Sequence, residues 1–96
     1  MIIAVSSEYG DDFREFVCYK IENGEIKSRD VTKTPDGGST MLVKQLIGLQ
    51  TDLLISGRIP ETLEVELMEA GVGVITGISG ISDVVLKSYL DGTLKF

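Results

Sequence analysis

Ile2-Ile3-Ala4-Val5 is an unbroken apolar run that ends at Ser6-Ser7, and Leu53-Leu54-Ile55-Ser56 is a second such run, which Gly57 stops. A strand that is covered on both faces has a continuous apolar run, whereas a half-exposed strand alternates apolar with polar residues. Both runs therefore predict central, buried strands. A sheet of this kind needs helices packed against it, which indicates an α/β fold.

An alternating segment and a hairpin turn follow the first run. From Arg14 to Glu22 the apolar residues recur with a period of two, which predicts a second, largely buried strand. Asn23-Gly24 accepts the positive φ angles of a type I′ turn, so a third strand from Glu25 to about Lys33 should return antiparallel. Its charged side chains discourage edge-to-edge association, and we expect it at a sheet edge. The second strand carries Val17, Tyr19 and Ile21 on one face and Phe16 and Cys18 on the other.

The positions of glycine, proline and serine in the rest of the chain predict where three helices and a fifth strand begin and end. Ser39 and Ser82 are suited to cap helix N-termini. Pro60 suits a first helical turn, and Gly71 suits a helix end. The predicted segments are a helix from Ser39 to about Gln50 with Leu42, Leu46 and Leu49 on its core face, a helix from Pro60 to Gly71 with Leu63, Leu67 and Ala70, a strand from Val72 to Thr76, and a helix from Ser82 to Gly92 with Val85, Leu86, Tyr89 and Leu90.

This order of elements predicts the topology of the sheet. Right-handed strand-helix-strand crossovers make strands one, four and five parallel neighbours, and the hairpin places strands two and three on the other side. The expected order is 3-2-1-4-5 in a mixed, five-stranded sheet. The chain of 96 residues supplies one modest core, so residues 1–96 are predicted to form a single domain.

Composition excludes several classes of function. The chain has no His, which removes His-based triads and His metal ligands. A net charge of -6 argues against nucleic acid, whose binding draws on clustered Lys and Arg. The single cysteine, Cys18, cannot form an intrachain disulfide, which favours a reducing cytoplasm. No apolar stretch approaches the ~20 residues needed to cross a bilayer, so we expect no membrane association.

The second half of the chain resembles a known family. The matching stretches are Thr51 to Ile59, Leu67 to Val72 and Tyr89 to Leu94, and Ile2 to Ser6 stands where the family has its first strand. They resemble the nitrogenase accessory factor-like domain of the dinitrogenase iron-molybdenum cofactor biosynthesis family, over nearly the whole chain. The resemblance implies a three-layer α/β/α, ribonuclease H-like fold and a protein that binds or carries iron-molybdenum cofactor or a precursor cluster.

Two segments depart from the family's pattern. Glu8-Tyr9-Gly10 stands where many members have His-Phe-Gly, and Pro35 to Ser39 stands where many have a His- and Cys-rich loop. Iron, sulfur and molybdenum clusters prefer thiolate and imidazole donors, so Cys18 is the one soft ligand that this chain offers. The alternative is that Cys18 is a small buried residue of the second strand, since unpaired cysteine is commonly buried.

The candidate ligand-binding residues gather at one predicted rim. Ligands of open parallel sheets settle at the carboxyl ends of the strands, where Arg58 could pair with an anion and Tyr9 should approach it. Glycine-rich loops before helices can cradle anions with their amides, although tight turns alone also require glycine. The residues at this rim are Glu8, Tyr9 and Gly10 after strand one, Gly57 and Arg58 after strand four, and Gly77, Ser79 and Gly80 after strand five.

Two functions remain open at this point. The first is a non-catalytic carrier or accessory protein that binds an iron-molybdenum or iron-sulfur cluster, or an anionic ligand, at the rim, with a protein partner in cofactor assembly. The second is a protein-interaction or regulatory module that lacks the family's metal ligands. A homodimer is compatible with either. An enzyme would need an acid-base or nucleophilic pair that these residues do not form.

Overall fold

A five-stranded mixed sheet forms the centre of the computed structural model, which describes residues 1–6, 15–34 and 38–94. The strand order is β3-β2-β1-β4-β5, as predicted. The elements, in chain order, are β1 (Ile2–Val5), β2 (Glu15–Glu22), β3 (Glu25–Lys33), α1 (Gly38–Gly48), β4 (Leu53–Ile55), α2 (Glu61–Glu69), β5 (Gly73–Ile75) and α3 (Ser82–Leu90).

The first apolar run forms the central strand. β1 pairs antiparallel with β2 and parallel with β4, and its Ile3, Ala4 and Val5 are fully buried. The charged third strand lies at the edge, paired with β2 alone, and nearly all of its residues are exposed. The prediction from continuous and alternating hydrophobicity is therefore confirmed for both the central and the edge strands.

Helices cover both faces of the sheet and complete three layers. Side chains alternate along each strand, so Ile3 and Ile55 point to the face that α3 covers, while Ala4 and Leu54 point to the opposite face. We call the first the α3 face and the second the α1–α2 face. The α3 face also carries Val17, Tyr19, Ile21, Ile78, Val85 and Leu86, and the α1–α2 face carries Phe16, Leu42, Leu46, Leu63 and Leu67.

Turn chemistry is confirmed at the hairpin. Asn23 and Gly24 both have positive φ angles, 54° and 77°, as a type I′ turn requires. This turn matches the right-handed twist of the strands that it joins, so β2 and β3 pair along most of their length. Between Lys20 and Ile21 the register shifts by a bulge.

Some predicted bounds are wrong. Ser82 was expected to cap α3 but is its first residue, and Ile81, in an extended conformation, holds the cap position. Pro60 precedes α2 and does not lie within its first turn. Val72 does not begin β5, because its amide donates to Leu67 O and ends α2. Ser39 does not start α1, which begins at Gly38.

Two residues that were expected in the core are exposed. Leu49 lies just after α1, where the chain has left the helix, and Ala70 occupies the C-cap of α2. In both cases the helix ends earlier than its apolar pattern suggests. Within the described part of the chain, the helices are all too short or too polar to cross a bilayer.

Candidate functional site

The carboxyl ends of the parallel strands meet the beginnings of all three helices. β1, β4 and β5 are parallel, and β3 runs in the same direction as β1 because two antiparallel pairings separate them. α1 follows β3, α2 follows β4 and α3 follows β5. Each helix therefore begins at the same edge of the sheet, which we call the carboxyl edge.

Hydroxyl side chains lie directly beyond the strands at this edge. Ser6 follows β1 and Ser56 follows β4, and the sheet's hydrogen bonds continue through both. The Ser6 amide donates to Ile55 O at 2.9 Å, and the Ser56 amide donates to Ile75 O at 2.9 Å. Both serines are fully buried and continue the alternation onto the α1–α2 face.

The two hydroxyls differ in their partners. Ser56 Oγ donates to Gly57 O at 2.9 Å, whereas Ser6 Oγ has no hydrogen-bond partner among the described residues. Buried polar atoms are nearly always hydrogen-bonded, because an unpaired one keeps the full cost of its desolvation. Ser6 therefore offers a donor that the described part of the protein does not use.

The helix N-termini add positive partial charge to the carboxyl edge. Pro60 and Ile81 hold the N-cap positions of α2 and α3 without a side-chain hydrogen bond to the first turn, so side chains do not cap those amides. The first turn of α2 holds Glu61 and Glu64, which offset its charge, while the first turn of α1 holds no acidic residue. The first turn of α3 holds Asp83, so among the described helices only α1 has a first turn without an acidic side chain to oppose an anion.

Gly57 and Arg58 take the positions predicted for them after β4. Gly57 is buried and Arg58 is exposed. The Arg58 guanidinium forms no ion pair with another described residue, so its donors remain available to a carboxylate or phosphate.

The loop after β5 also lies at this edge, but its glycines answer a backbone requirement. Gly77 and Gly80 have φ angles of 76° and 124°, which L side chains rarely adopt. Ser79, between them, is exposed. The sequence allowed two interpretations of these glycines, an anion-binding loop or a tight turn. The tight turn accounts for both, and the exposed loop can still contact a ligand.

Cys18 lies away from the carboxyl edge. It pairs with Ala4 in the middle of the sheet and faces α1 and α2, half-buried. Burial, with a smaller contribution from the Asp30 carboxylate, raises the pKa of the Cys18 thiol to about 11. Because the thiolate is the ligand form, this environment disfavours coordination of a metal at neutral pH.

Metal ligands do not cluster in the described residues. No group of three Cys, Asp or Glu side chains is placed to hold an ion in residues 1–6, 15–34 and 38–94. Glu8, Tyr9 and Gly10 lie outside the described residues, as does most of the Pro35 to Ser39 loop, so the expected approach of Tyr9 to Arg58 stays a prediction.

Sequence reasoning missed one polar cluster, which joins α3 to the hairpin. The Tyr19 hydroxyl and Arg29 Nε both donate to Asp83 Oδ1, the latter at 2.9 Å. Burial, followed by the hydrogen bond to Asp83, raises the pKa of Tyr19, so its hydroxyl keeps the proton that it donates. No local signal could have found this cluster, since Tyr19 and Asp83 lie 64 residues apart.

Comparisons with known proteins agree with this architecture. No family model and no curated protein matches the sequence. A solved structure described as "Crystal structure of PH0822" is similar, with a TM-score of 0.87 and 23% sequence identity. The match covers 100% of this chain and 94% of that chain. At this identity the similarity shows a shared fold, which extends over the full length of the chain.

Proposed function

We propose that this protein is a non-catalytic carrier or accessory protein that holds an anionic ligand at the carboxyl edge. One observation carries the proposal: the buried Ser6 hydroxyl has no hydrogen-bond partner among the described residues, at the edge where the described helices begin. A hydroxyl in this position supplies a hydrogen bond that an anion can accept. Arg58, without an ion pair among the described residues, supplies a counter-charge.

The donor groups favour an anion held by hydrogen bonds over a metal held by protein ligands. The edge offers hydroxyls, helix amides and a guanidinium, and the chain's one thiol lies in the middle of the sheet. Direct coordination of iron or molybdenum does not fit this donor set. An iron-sulfur or iron-molybdenum cluster is therefore proposed as cargo only through its anionic periphery, in a cytoplasmic protein that meets a partner in cofactor assembly.

A second candidate function rests on exposed apolar side chains at the start of α3. Ile81 and Val84 are 64% and 60% exposed and lie one helical turn apart. Neighbouring exposed apolar side chains can contribute to a protein contact when they form a contiguous patch. The protein would then be an interaction or regulatory module, and a homodimer is one form that such a contact could take.

Titration with small oxyanions tests the carrier function. We would follow the amide resonances of ¹⁵N-labelled protein while adding sodium phosphate or sodium molybdate at constant ionic strength. Saturable shifts at Ser6, Ser56 and Arg58 are expected, and Ser6→Ala should weaken binding at least about fivefold, the effect of one lost hydrogen bond. Ser88→Ala removes a hydroxyl from the far half of α3 and should bind as the wild type does.

Two further experiments, one with an iron-sulfur cluster and one on self-association, distinguish the carrier function from the interaction module. Under anaerobic conditions an iron-sulfur cluster should be retained by the protein, with an absorption band that persists in Cys18→Ala. If neither oxyanion nor cluster binds, the carrier function is wrong. Sedimentation that shows self-association, abolished by Val84→Lys, would instead support the interaction module.

A further inference from the structure

A second concave site lies at the other end of the sheet, on the α1–α2 face. It is a pocket of about 150 Å³ over β2 and β3, next to the C-terminal end of α1. Ile2, which lines it, is the first residue of β1, so the pocket extends from the middle of the sheet toward the end opposite the carboxyl edge. The residues that line it are Ile2, Cys18, Tyr19, Lys20, Ser28, Asp30 and Leu49.

The register of the sheet explains how the pocket forms. Lys20 pairs with Ile2 on one side and with Ser28 on the other, and Cys18 pairs with Asp30 in the neighbouring row. β3 is exposed, so none of the described helices covers this part of the sheet. Leu49, which follows α1 and is 36% exposed, forms a wall beside it. The helical pattern predicted Leu49 on the core face of α1, whereas the structure places it at the pocket.

The pocket lining holds one acidic and one basic side chain, and the two differ in their partners. The Asp30 carboxylate forms no ion pair with a described residue, and the last turn of α1 holds no basic residue to offset the negative end of the helix. The one cation in the lining, Lys20, lies 3.7 Å from Glu22. Burial is the main cause of the raised pKa of Cys18, and the nearby Asp30 carboxylate adds to it.

We propose that this pocket binds a small organic cation, a primary alkylammonium with a short carbon chain. The ammonium group lies against the Asp30 carboxylate and the Ser28 hydroxyl, and the carbon chain packs on Ile2 and Leu49. The volume suits a molecule of this size and excludes larger cofactors, whose pockets are about twice as large or more. The site requires no group from the carboxyl edge, so it is independent of the proposed anion binding.

The lone cysteine makes the pocket directly testable. Because Cys18 is the only cysteine in the chain, its alkylation by iodoacetamide reports on occupancy of this site. At about pH 9, where a small fraction of the Cys18 thiol is ionised and the amine remains protonated, n-butylammonium chloride should slow alkylation at least about threefold and with saturation. Equal concentrations of n-butanol, which has the same shape without the charge, and of sodium chloride should leave the rate unchanged.

Variants identify the group that recognises the cation. In Asp30→Asn the ratio of rates with and without n-butylammonium should fall to one, whereas Asp91→Asn, an exposed acid on α3's C-terminal side, should keep the protection. Amide shifts of Lys20 and Ser28 on titration provide a second measurement. Protection by n-butanol as strong as by the amine, protection that survives in Asp30→Asn, or neither protection nor shifts would each overturn the proposal.

Discussion

The buried Ser6 hydroxyl destabilises the folded protein, whereas the Ser56 hydroxyl just after the adjacent strand does not. Both hydroxyls are fully buried after parallel strands, but Ser56 Oγ donates to Gly57 O while Ser6 Oγ has no partner among the described residues. A buried, unpaired hydroxyl keeps a desolvation penalty of about 1–3 kcal/mol. Such a cost is characteristic of residues retained for binding, where stability and function oppose each other.

Replacing Ser6 by alanine should therefore stabilise the protein in the absence of anions. We expect Ser6→Ala to raise the free energy of unfolding by about 1 kcal/mol, because the unpaired hydroxyl is removed. Ser56→Ala is the matched control and should lower it by about 1 kcal/mol, since it breaks a hydrogen bond. Urea denaturation measures both. Destabilisation by Ser6→Ala would show that the hydroxyl is already paired.

Left-handed residues end the three helices, and one of them is not glycine. Gln50, Gly71 and Gly92 have φ angles of 60°, 87° and 76°. After each, the next amide reaches back to the last turn: Thr51 N to Leu46 O, Val72 N to Leu67 O and Thr93 N to Ser88 O. These are Schellman ends. Glycine is a sequence signal for two of these ends, whereas the glutamine at the third gives no such signal. All three helices end about two residues before the predicted position.

Gln50→Gly should stabilise the protein by about 0.5–1 kcal/mol. A side chain in the left-handed region costs about 1–2 kcal/mol, and the added freedom of glycine in the unfolded chain offsets part of this. Lys44→Gly, an exposed position inside α1, provides the control and should destabilise by about 1 kcal/mol. The urea midpoints of the two variants should move in opposite directions. A loss in both would contradict the assigned helix end.

At the scale of elements, the strands were easier to predict than the contacts between elements. Period-two alternation gave both faces of β2, and the Asn-Gly turn and the charged side chains gave the edge strand β3, because these signals lie in the local sequence. The attachment of α3 to the hairpin depends on Tyr19, Arg29 and Asp83, which the fold brings together from distant positions. The same is true of the candidate site. The positions of Gly57 and Arg58 follow from the predicted topology, whereas the hydrogen bonding of the Ser6 hydroxyl can be seen only in the three-dimensional structure.

The Asp83 cluster should make the docking of α3 depend on acid. The hydrogen bond from Tyr19, followed by that from Arg29, lowers the pKa of Asp83 below its ordinary value of 3.8. A lowered folded-state pKa contributes stability that is present above the unfolded-state pKa and is lost as the pH falls through the folded-state pKa. Since Asp83 is largely exposed, we expect a contribution of at most about 1 kcal/mol.

Urea titrations between pH 7 and about pH 3 measure this contribution. Wild type should lose more stability across the window than Asp83→Asn, which has no carboxylate to protonate, and the two curves should approach each other toward the acidic end. Asp91→Asn, at the C-terminal end of α3, has no such partners and should follow the wild type. Parallel curves for wild type and Asp83→Asn would show that the carboxylate does not hold α3.

At the scale of the whole molecule, one sheet is the shared wall of two cores. Adjacent residues of β4 belong to different cores, since Leu54 packs with α1 and α2 while Ile55 packs on the α3 side. Because both cores use the same strands, disrupting the sheet on one face also exposes the core on the other face. A chain of this size therefore has no part that could stay folded alone, and its unfolding should be a single cooperative transition.

Substitutions on opposite faces test this cooperativity. Leu46→Ala on the α1–α2 face should cost about 3 kcal/mol and Ile55→Val on the α3 face about 1 kcal/mol. Because the two side chains share no contact across the sheet, their costs should add to within about 0.5 kcal/mol in the double variant. Methyl resonances of Val17 and Leu67, one in each core, should disappear at the same urea concentration in every variant. If the Val17 signal outlasted that of Leu67 in Leu46→Ala, the α3 side would be able to fold without its opposite layer, and the sheet would be a boundary between two units instead of their common core.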